Sequence, residues 1–386
     1  MILFVYRMIL EDKALMKLKN TAFIAFFLSF AFAVNAQQKK PADRNQLDGP
    51  YVWYTADSLV VATVSHEEAG AKAVQRAYAL KDKPKQLLEV KFSDHPEKNF
   101  NVRLKPQLET EPSVWPQPEK ILFLSDIEGE FDALRSLLLA NGVISATYEW
   151  TFGKGHLVIC GDLFDRGKDV PAVLWLLYKL EQEAKSKGGY VHTILGNHDI
   201  MNLAGNFKYV DSKYLKSAEA LGRGYLHLYN EQTELGRWLR TKNLVEKIGD
   251  NLCLHGGVSA QINALGLNVE QLNTISRPYI GWQNLKNTVT DSTVLKIFNS
   301  TDGLFWNRDY FKEPAVDEAV IDKTLAIHQV KRIIVGHTII KSNVGFYFHH
   351  KVLGIDVNQH AGDHQGALYE NKKWYKINLT GQKIEL

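Results

Sequence analysis

Cysteine is nearly absent from this 386-residue chain: Cys160 and Cys253 are too few for a disulfide framework, and each lies inside an apolar run that reads as a buried strand. Both are read as small core hydrophobes. Charge of one sign is lacking too, because 46 Lys and Arg stand against 43 Asp and Glu. Residues 1–36 hold four of the basic and two of the acidic ones, which leaves about +1 on the remaining 350. A nucleic-acid partner normally demands a basic face and is therefore disfavoured, and an acidic or low-complexity disordered chain is excluded. The apolar stretch Thr21–Val34 has 14 residues, short of the roughly 20 that span a bilayer. What remains, with 45% apolar and 11% aromatic residues, is ordinary globular composition with core enough to fold unaided.

Lys17 and Lys19 precede that apolar stretch and Val34-Asn35-Ala36 close it, the three-part pattern of a secretory signal peptide. Residues 1–36 are therefore expected to be a leader cleaved after Ala36, with Met16 marking a start that makes the first 15 residues upstream of it. The product is expected to be secreted or periplasmic, without a stable membrane anchor. Residues 37–117 read as a polar tail and a small β-rich extension, with short strands at Tyr51–Trp53, Leu59–Thr63, Leu88–Phe92 and Phe100–Leu104, ended by a Pro-rich joint from Pro106 to Pro118. Residues 118–386 change pattern. Buried strands are expected at Ile121–Ser125, His156–Cys160, Tyr190–Leu195, Asn251–Leu254, Arg332–Val335 and Val352–Ile355, interleaved with amphipathic helices marked by Leu134, Leu137, Leu138 and by Val173, Leu174, Leu177, Leu180. The expected fold class is α/β: a β-sandwich flanked by helices.

Ligands of α/β sheets gather at the C-terminal ends of the strands. Five such ends carry metal-ligating residue types: Ser125-Asp126-Ile127-Glu128-Gly129, Gly161-Asp162-Leu163-Phe164-Asp165-Arg166-Gly167, Gly196-Asn197-His198-Asp199, His255-Gly256-Gly257 and Gly336-His337-Thr338. The lead residues are 36, 35, 58 and 82 apart, and the first two gaps suit single crossovers that return the chain to one edge. Taken singly, an Asp after a strand is commonly a helix cap and a His a hydrogen-bonded turn residue. Five together point to one metal pocket of carboxylates, carboxamide and imidazoles, with no thiolate for a structural zinc finger. A shared carboxylate such as Asp162 suits two cations about 3.5–4 Å apart, as in two-metal hydrolysis.

These motifs resemble the successive signatures of the calcineurin-like metallophosphoesterases. The Asp-Arg-Gly ending resembles the phosphoprotein phosphatase branch, and motif order with the leader resembles the bacterial Shewanella-like protein phosphatases. The resemblance spans about residues 118–372. It implies a phosphomonoesterase acting on phosphorylated protein, peptide or small phosphomonoester through in-line attack by a hydroxide held between two divalent ions, Mn foremost, with Fe, Zn, Mg or Ca as alternatives. One ion would be held by Asp126 and Asp162, the second by Asp162, Asn197, His255 and His337. His198 would protonate the leaving group, oriented by Asp165, and Arg166 and Arg308 would clamp phosphate, with Asn197 also at the substrate. Two departures stand out: Glu128 occupies the histidine position of the first signature, where a carboxylate can still ligate, and Asp199 stands where protein phosphatases usually carry Glu. Alternative functions are hydrolysis of nucleotides or dinucleoside polyphosphates, and a catalytically silent phosphate- or metal-binding module. Tyr209, Tyr214, Tyr225, Tyr229, Trp238, Trp282 and Trp306 either wall a pocket for an aryl group or fill the core. His349, His350, His360 and His364 read as surface or turn residues, with only His360 able to approach the site. The oligomeric state is not encoded in any of these features.

Overall fold

The computed structural model describes residues 46–340 and 343–386, which apart from the gap form one compact unit. The leader expected over residues 1–36 lies outside the described residues. None of the described helices is long and apolar enough to cross a membrane.

The chain opens with an antiparallel meander, β1 (Gln46–Tyr54), β2 (Ser58–Glu67) and β3 (Gly70–Ala79), followed by a hairpin of β4 (Leu87–Val90) and β5 (Phe100–Arg103). Four of these strands coincide with apolar runs in the sequence. Strand β3 does not, because little of it is buried and Val74 points to solvent.

Two six-stranded sheets follow. In the first, β7 (Lys120–Leu124), β8 (His156–Cys160) and β9 (Tyr190–Ile194) run parallel, and β7 is continued by the antiparallel strands β15 (Gln365–Glu370), β16 (Lys373–Asn378) and β17 (Lys383–Glu385). The second runs β13 (Gly345–Tyr347), β14 (Val352–Gly354), β12 (Arg332–Val335), β11 (Asn251–Leu254), β10 (Val245–Ile248) and β6 (Val114–Trp115). Strand β6 comes from the Pro-rich stretch 106–118, which thereby joins the second sheet.

Alternation explains the layering. Ile121, Phe123, Val158, Cys160 and Ile194 of the first sheet share a core with Ile248, Cys253, Ile334 and Leu353 of the second. Leu122, Leu124, Leu157, Ile159 and Val191 belong instead to the core under the helices. There α1 (Phe131–Ala140) buries Leu134, Leu137 and Leu138, and α2 (Val170–Ser186) buries Val173, Leu174, Leu177 and Leu180. Both cysteines are buried and free.

A buried ion network fastens the segment before β7 to the rest. Lys242 Nζ donates to Glu111 Oε1 (2.9 Å) and Glu181 Oε2 (2.6 Å), Lys105 Nζ to Glu181 Oε1 (2.6 Å), and Trp238 Nε1 to Glu181 Oε2 (2.8 Å). Removing one member leaves opposite charges buried and unpaired, which costs about 3–5 kcal/mol. Lys242→Ala should therefore lower the unfolding free energy by that amount in a denaturant titration, and a loss under about 1 kcal/mol, the value of a surface pair, would show that the network is not holding these segments.

Candidate active site

Strands β7, β8 and β9 are mutually parallel, as are β11 and β12, so their C-terminal tips meet along one edge. The tips are stitched together. Asp126 N–H donates to the Gly161 carbonyl (3.0 Å), Glu128 N–H to that of Asp162 (2.9 Å) and Gly336 N–H to that of His255 (2.9 Å), while His337 N–H donates to Asp126 Oδ2 (3.0 Å) across the two sheets. Asp126, Glu128, Asp162, Asp165, Arg166 and His337 all have left-handed backbone, with φ between +47° and +75°. That conformation is uncommon for residues with a Cβ and concentrates at functional sites. The adjacent glycines make room: a Cβ at Gly161 would fall 2.5 Å from His255 Nδ1, and one at Gly196 would strike the Asp162 carboxylate.

Nitrogen and oxygen lone pairs converge on one point. His255 Nδ1 donates to the Cys160 carbonyl (2.7 Å), which leaves Nε2 unprotonated in the neutral ring; Nε2 lies 3.0 Å from Asp162 Oδ2 and 3.0 Å from Asn197 Oδ1. His337 Nε2 donates to the Trp306 carbonyl (3.1 Å), which turns Nδ1 inward, 3.1 Å from His255 Nε2. Asp162, His255 and His337 form one group with metal-ligand spacing, and Glu128, Asp162 and His198 form another that shares Asp162. Asp126 lines the same cleft, its Oδ2 also taking a hydrogen bond from Ser125 Oγ.

Electrostatics agree with a cation site. Burial alone would raise the Asp162 pKa, yet His255, His198 and His337 hold it well below the usual carboxylate range. Burial would lower the pKa of His255, but the Asp162 and Asp126 carboxylates carry it up to about 10, whereas burial and its cationic neighbours push His337 down to about 2. The carboxylates thus call for positive charge, and His337 offers a neutral lone pair.

A hydrogen-bonded imidazole–carboxylate pair lies beside this centre. His198 Nδ1 is 2.6 Å from Asp165 Oδ2, and its Nε2 faces Asp162 Oδ2 at 3.9 Å. Burial lowers the His198 pKa, but the Asp165 hydrogen bond and the charges of Asp162 and Asp165 outweigh it, so the net shift is upward. Asn202 Nδ2 donates to Asp165 Oδ1 (2.8 Å) and Tyr225 Oη to Asn202 Oδ1 (2.9 Å), so the carboxylate is itself held. Arg166 and Arg308 both line a cleft of about 390 Å³ with Asp126, Glu128, Asp162, His198 and His337. Arg166 is ion-paired with Glu128, and Arg308 donates to the His337 carbonyl.

All ten residues singled out for the site thus lie around one centre. Others escaped the sequence reading. Asp356, just past β14, is buried in the cleft wall. Its signal was present, a carboxylate after an apolar strand. His360, by contrast, was expected to be able to approach the site, and it lines the cleft, 2.6 Å from Glu130 Oε1. Asn202 had no signal, being an ordinary polar residue, and Ser125 opened the first strand-end motif without a role of its own. Asp199 does not line the cleft: its carboxylate accepts from the N–H groups of Gly196 (2.8 Å), Asp162 (3.0 Å), Leu163 (2.8 Å) and Phe164 (3.3 Å), clamping the Asp162 loop.

The profile of the calcineurin-like phosphoesterases matches residues 119–341, more than half of the chain and every tip described above. The chain belongs to the calcineurin-like phosphoesterase family. It is 28% identical over 293 residues to Shewanella-like protein phosphatase 2 of Arabidopsis thaliana, covering 64% of this chain and 73% of that one. It is 29% identical over 266 residues to Shewanella-like protein phosphatase 1 of Plasmodium berghei, covering 65% and 70%. The solved cold-active protein-tyrosine phosphatase of a psychrophilic Shewanella species superposes with a TM-score of 0.78 at 31% identity, over 88% of this chain and 99% of that one. This phosphoesterase is a metal-dependent phosphatase of the Shewanella-like type.

The residues present fit divalent metal. With both rings neutral, turning the Asn197 amide over would let its nitrogen donate to His255 Nε2 (3.0 Å) and His337 Nδ1 (2.7 Å); with the oxygen inward and both rings neutral, three lone pairs face one another, as a bound cation requires. Asp162→Asn removes the charge common to both ligand groups. Metal analysis should find at least half of the metal per chain lost, and a variant with the full wild-type complement would contradict the role given to Asp162.

Proposed function

We propose that this phosphoesterase is an exported phosphomonoesterase that binds two divalent cations, Mn²⁺ foremost, and dephosphorylates phosphoproteins or phosphopeptides. The hydrogen-bonded pair of His198 and Asp165 beside the Asp162 ligand groups carries the reading, because a site that only bound metal or phosphate would not need an oriented proton donor. Export is inferred from the leader-like residues 17–36. The phosphoprotein assignment is taken from the relatives named protein phosphatases and from the Shewanella structure named a protein-tyrosine phosphatase. Mn²⁺ is placed first because Glu128 puts a hard oxygen donor where the first family signature has histidine, which shifts preference away from Zn²⁺.

Two cations in such a site supply Lewis acidity that neutralises phosphoryl oxygens and lowers the pKa of water. The protein's own groups do the rest. Arg166 and Arg308 present planar forks to the remaining phosphoryl oxygens. Asp165 accepts the proton on His198 Nδ1, which leaves Nε2–H of the imidazolium to protonate the departing oxygen. Asn202 keeps Asp165 from rotating away.

Loss of a general acid typically costs about 10²–10⁴ in rate, and less when the leaving group is good. His198→Ala should therefore slow a phosphopeptide or alkyl phosphate far more than p-nitrophenyl phosphate; equal losses on both would remove the general-acid role. Turnover of phospho-Ser, phospho-Thr and phospho-Tyr peptides should exceed that of nucleotides and dinucleoside polyphosphates, and should be abolished by a chelator and restored by Mn²⁺. Preference for nucleotides would overturn the substrate assignment, and chelator-insensitive turnover the metal assignment.

A further inference from the structure

Of the aromatic residues between the third and fifth tips, Tyr214, Tyr225, Tyr229 and Trp238 are buried in the core. Trp282 and Trp306 line a separate cavity of about 610 Å³ that shares only Asn197 with the ligand cluster. Tyr209 is different. It stands at the tip of a turn closed by Val210 N–H donating to the Phe207 carbonyl (3.2 Å), and Phe207 and Val210 pack on the core. Between these two anchors Tyr209 is 39% exposed. Its carbonyl accepts from Arg166 N–H (3.2 Å), which ties the turn to the loop of the phosphate clamp. Its ring centroid is 5.0 Å from that of His198, and the Arg166 guanidinium lies 6.0 Å from it.

A large aromatic is thus left partly exposed beside the imidazole to which leaving-group protonation is assigned above, with the Lys208 ammonium 4.8 Å from its ring centroid. We propose that Tyr209 is a specificity-determining residue: its exposed face forms a shelf on which the ring of an aryl leaving group, the side chain of phosphotyrosine, stacks while His198 Nε2 protonates its oxygen. Ring pairs gain at centroid separations of about 4.5–7 Å, and Tyr209 stands 5.0 Å from the ring whose Nε2 would face the protonated oxygen. The alkyl leaving groups of phosphoserine and phosphothreonine have no face to offer. This inference rests on the phosphopeptide reading above.

The test compares the metal-loaded full chain with Tyr209→Leu and Tyr209→Phe on one peptide sequence carrying phosphotyrosine or phosphoserine. One aromatic pair corresponds to about 2–10-fold. In Tyr209→Leu the ratio of kcat/KM for phosphotyrosine over phosphoserine should fall by that factor, chiefly through KM, and Tyr209→Phe, which keeps the ring, should restore it. A ratio unchanged in Tyr209→Leu would overturn the shelf. So would equal falls of kcat on both peptides with a displaced pH profile, which would mean that the ring merely orients His198. Failure of the wild-type enzyme to turn over either peptide would instead overturn the phosphopeptide reading, so the two failures are distinguishable.

Discussion

Asp162 is the residue on which the rest of the site depends. Its Oδ2 lies 3.0 Å from His255 Nε2 and its Oδ1 accepts from His198 N–H (2.8 Å), and the residue belongs to both potential ligand groups. A fully buried carboxylate is tolerable only if positive charge surrounds it. The molecule answers with imidazoles and with a geometry ready for cations. Almost every neighbouring feature follows from keeping that carboxylate in place, including the left-handed backbone at Asp162, the bare Gly161 and Gly196 and the Asp199 clamp on the loop. Two sheets are needed because the first supplies Asp126, Asp162 and Asn197 and the second His255 and His337.

Around this centre lies a layer of groups that set orientation. The Cys160 and Trp306 carbonyls select opposite nitrogens of His255 and His337, so that both lone pairs face the same point. Ser125 and the His337 N–H occupy Asp126 Oδ2, and Asn202 with Tyr225 holds Asp165. Glu128 has two kinds of neighbour: it stands in a potential ligand group with Asp162, and it is ion-paired with Arg166.

The strand tips were legible in the sequence because each couples a short apolar run to a Gly-flanked polar cluster, and strands β8, β11 and β12 have the bounds that reading assigns. Strand β3 was not legible, since an exposed strand lacks apolar alternation, and β10 and β15–β17 follow or precede turns without a chemical signature. Asp199 was legible as a departure from the protein phosphatases but not as a clamp, because its four N–H partners come from a loop more than thirty positions earlier and from its own helix start. The Glu128 and Arg166 pair was invisible for a related reason: spacing does not say which side chains two left-handed loops turn toward each other.

Anomalous diffraction from crystals grown with Mn²⁺ tests the account most directly. It predicts two peaks about 3.5–4 Å apart flanking the Asp162 carboxylate, one toward Asn197, His255 and His337 and the other toward Asp126 and Glu128. A single peak, or none within bonding distance of Asp162, would contradict it.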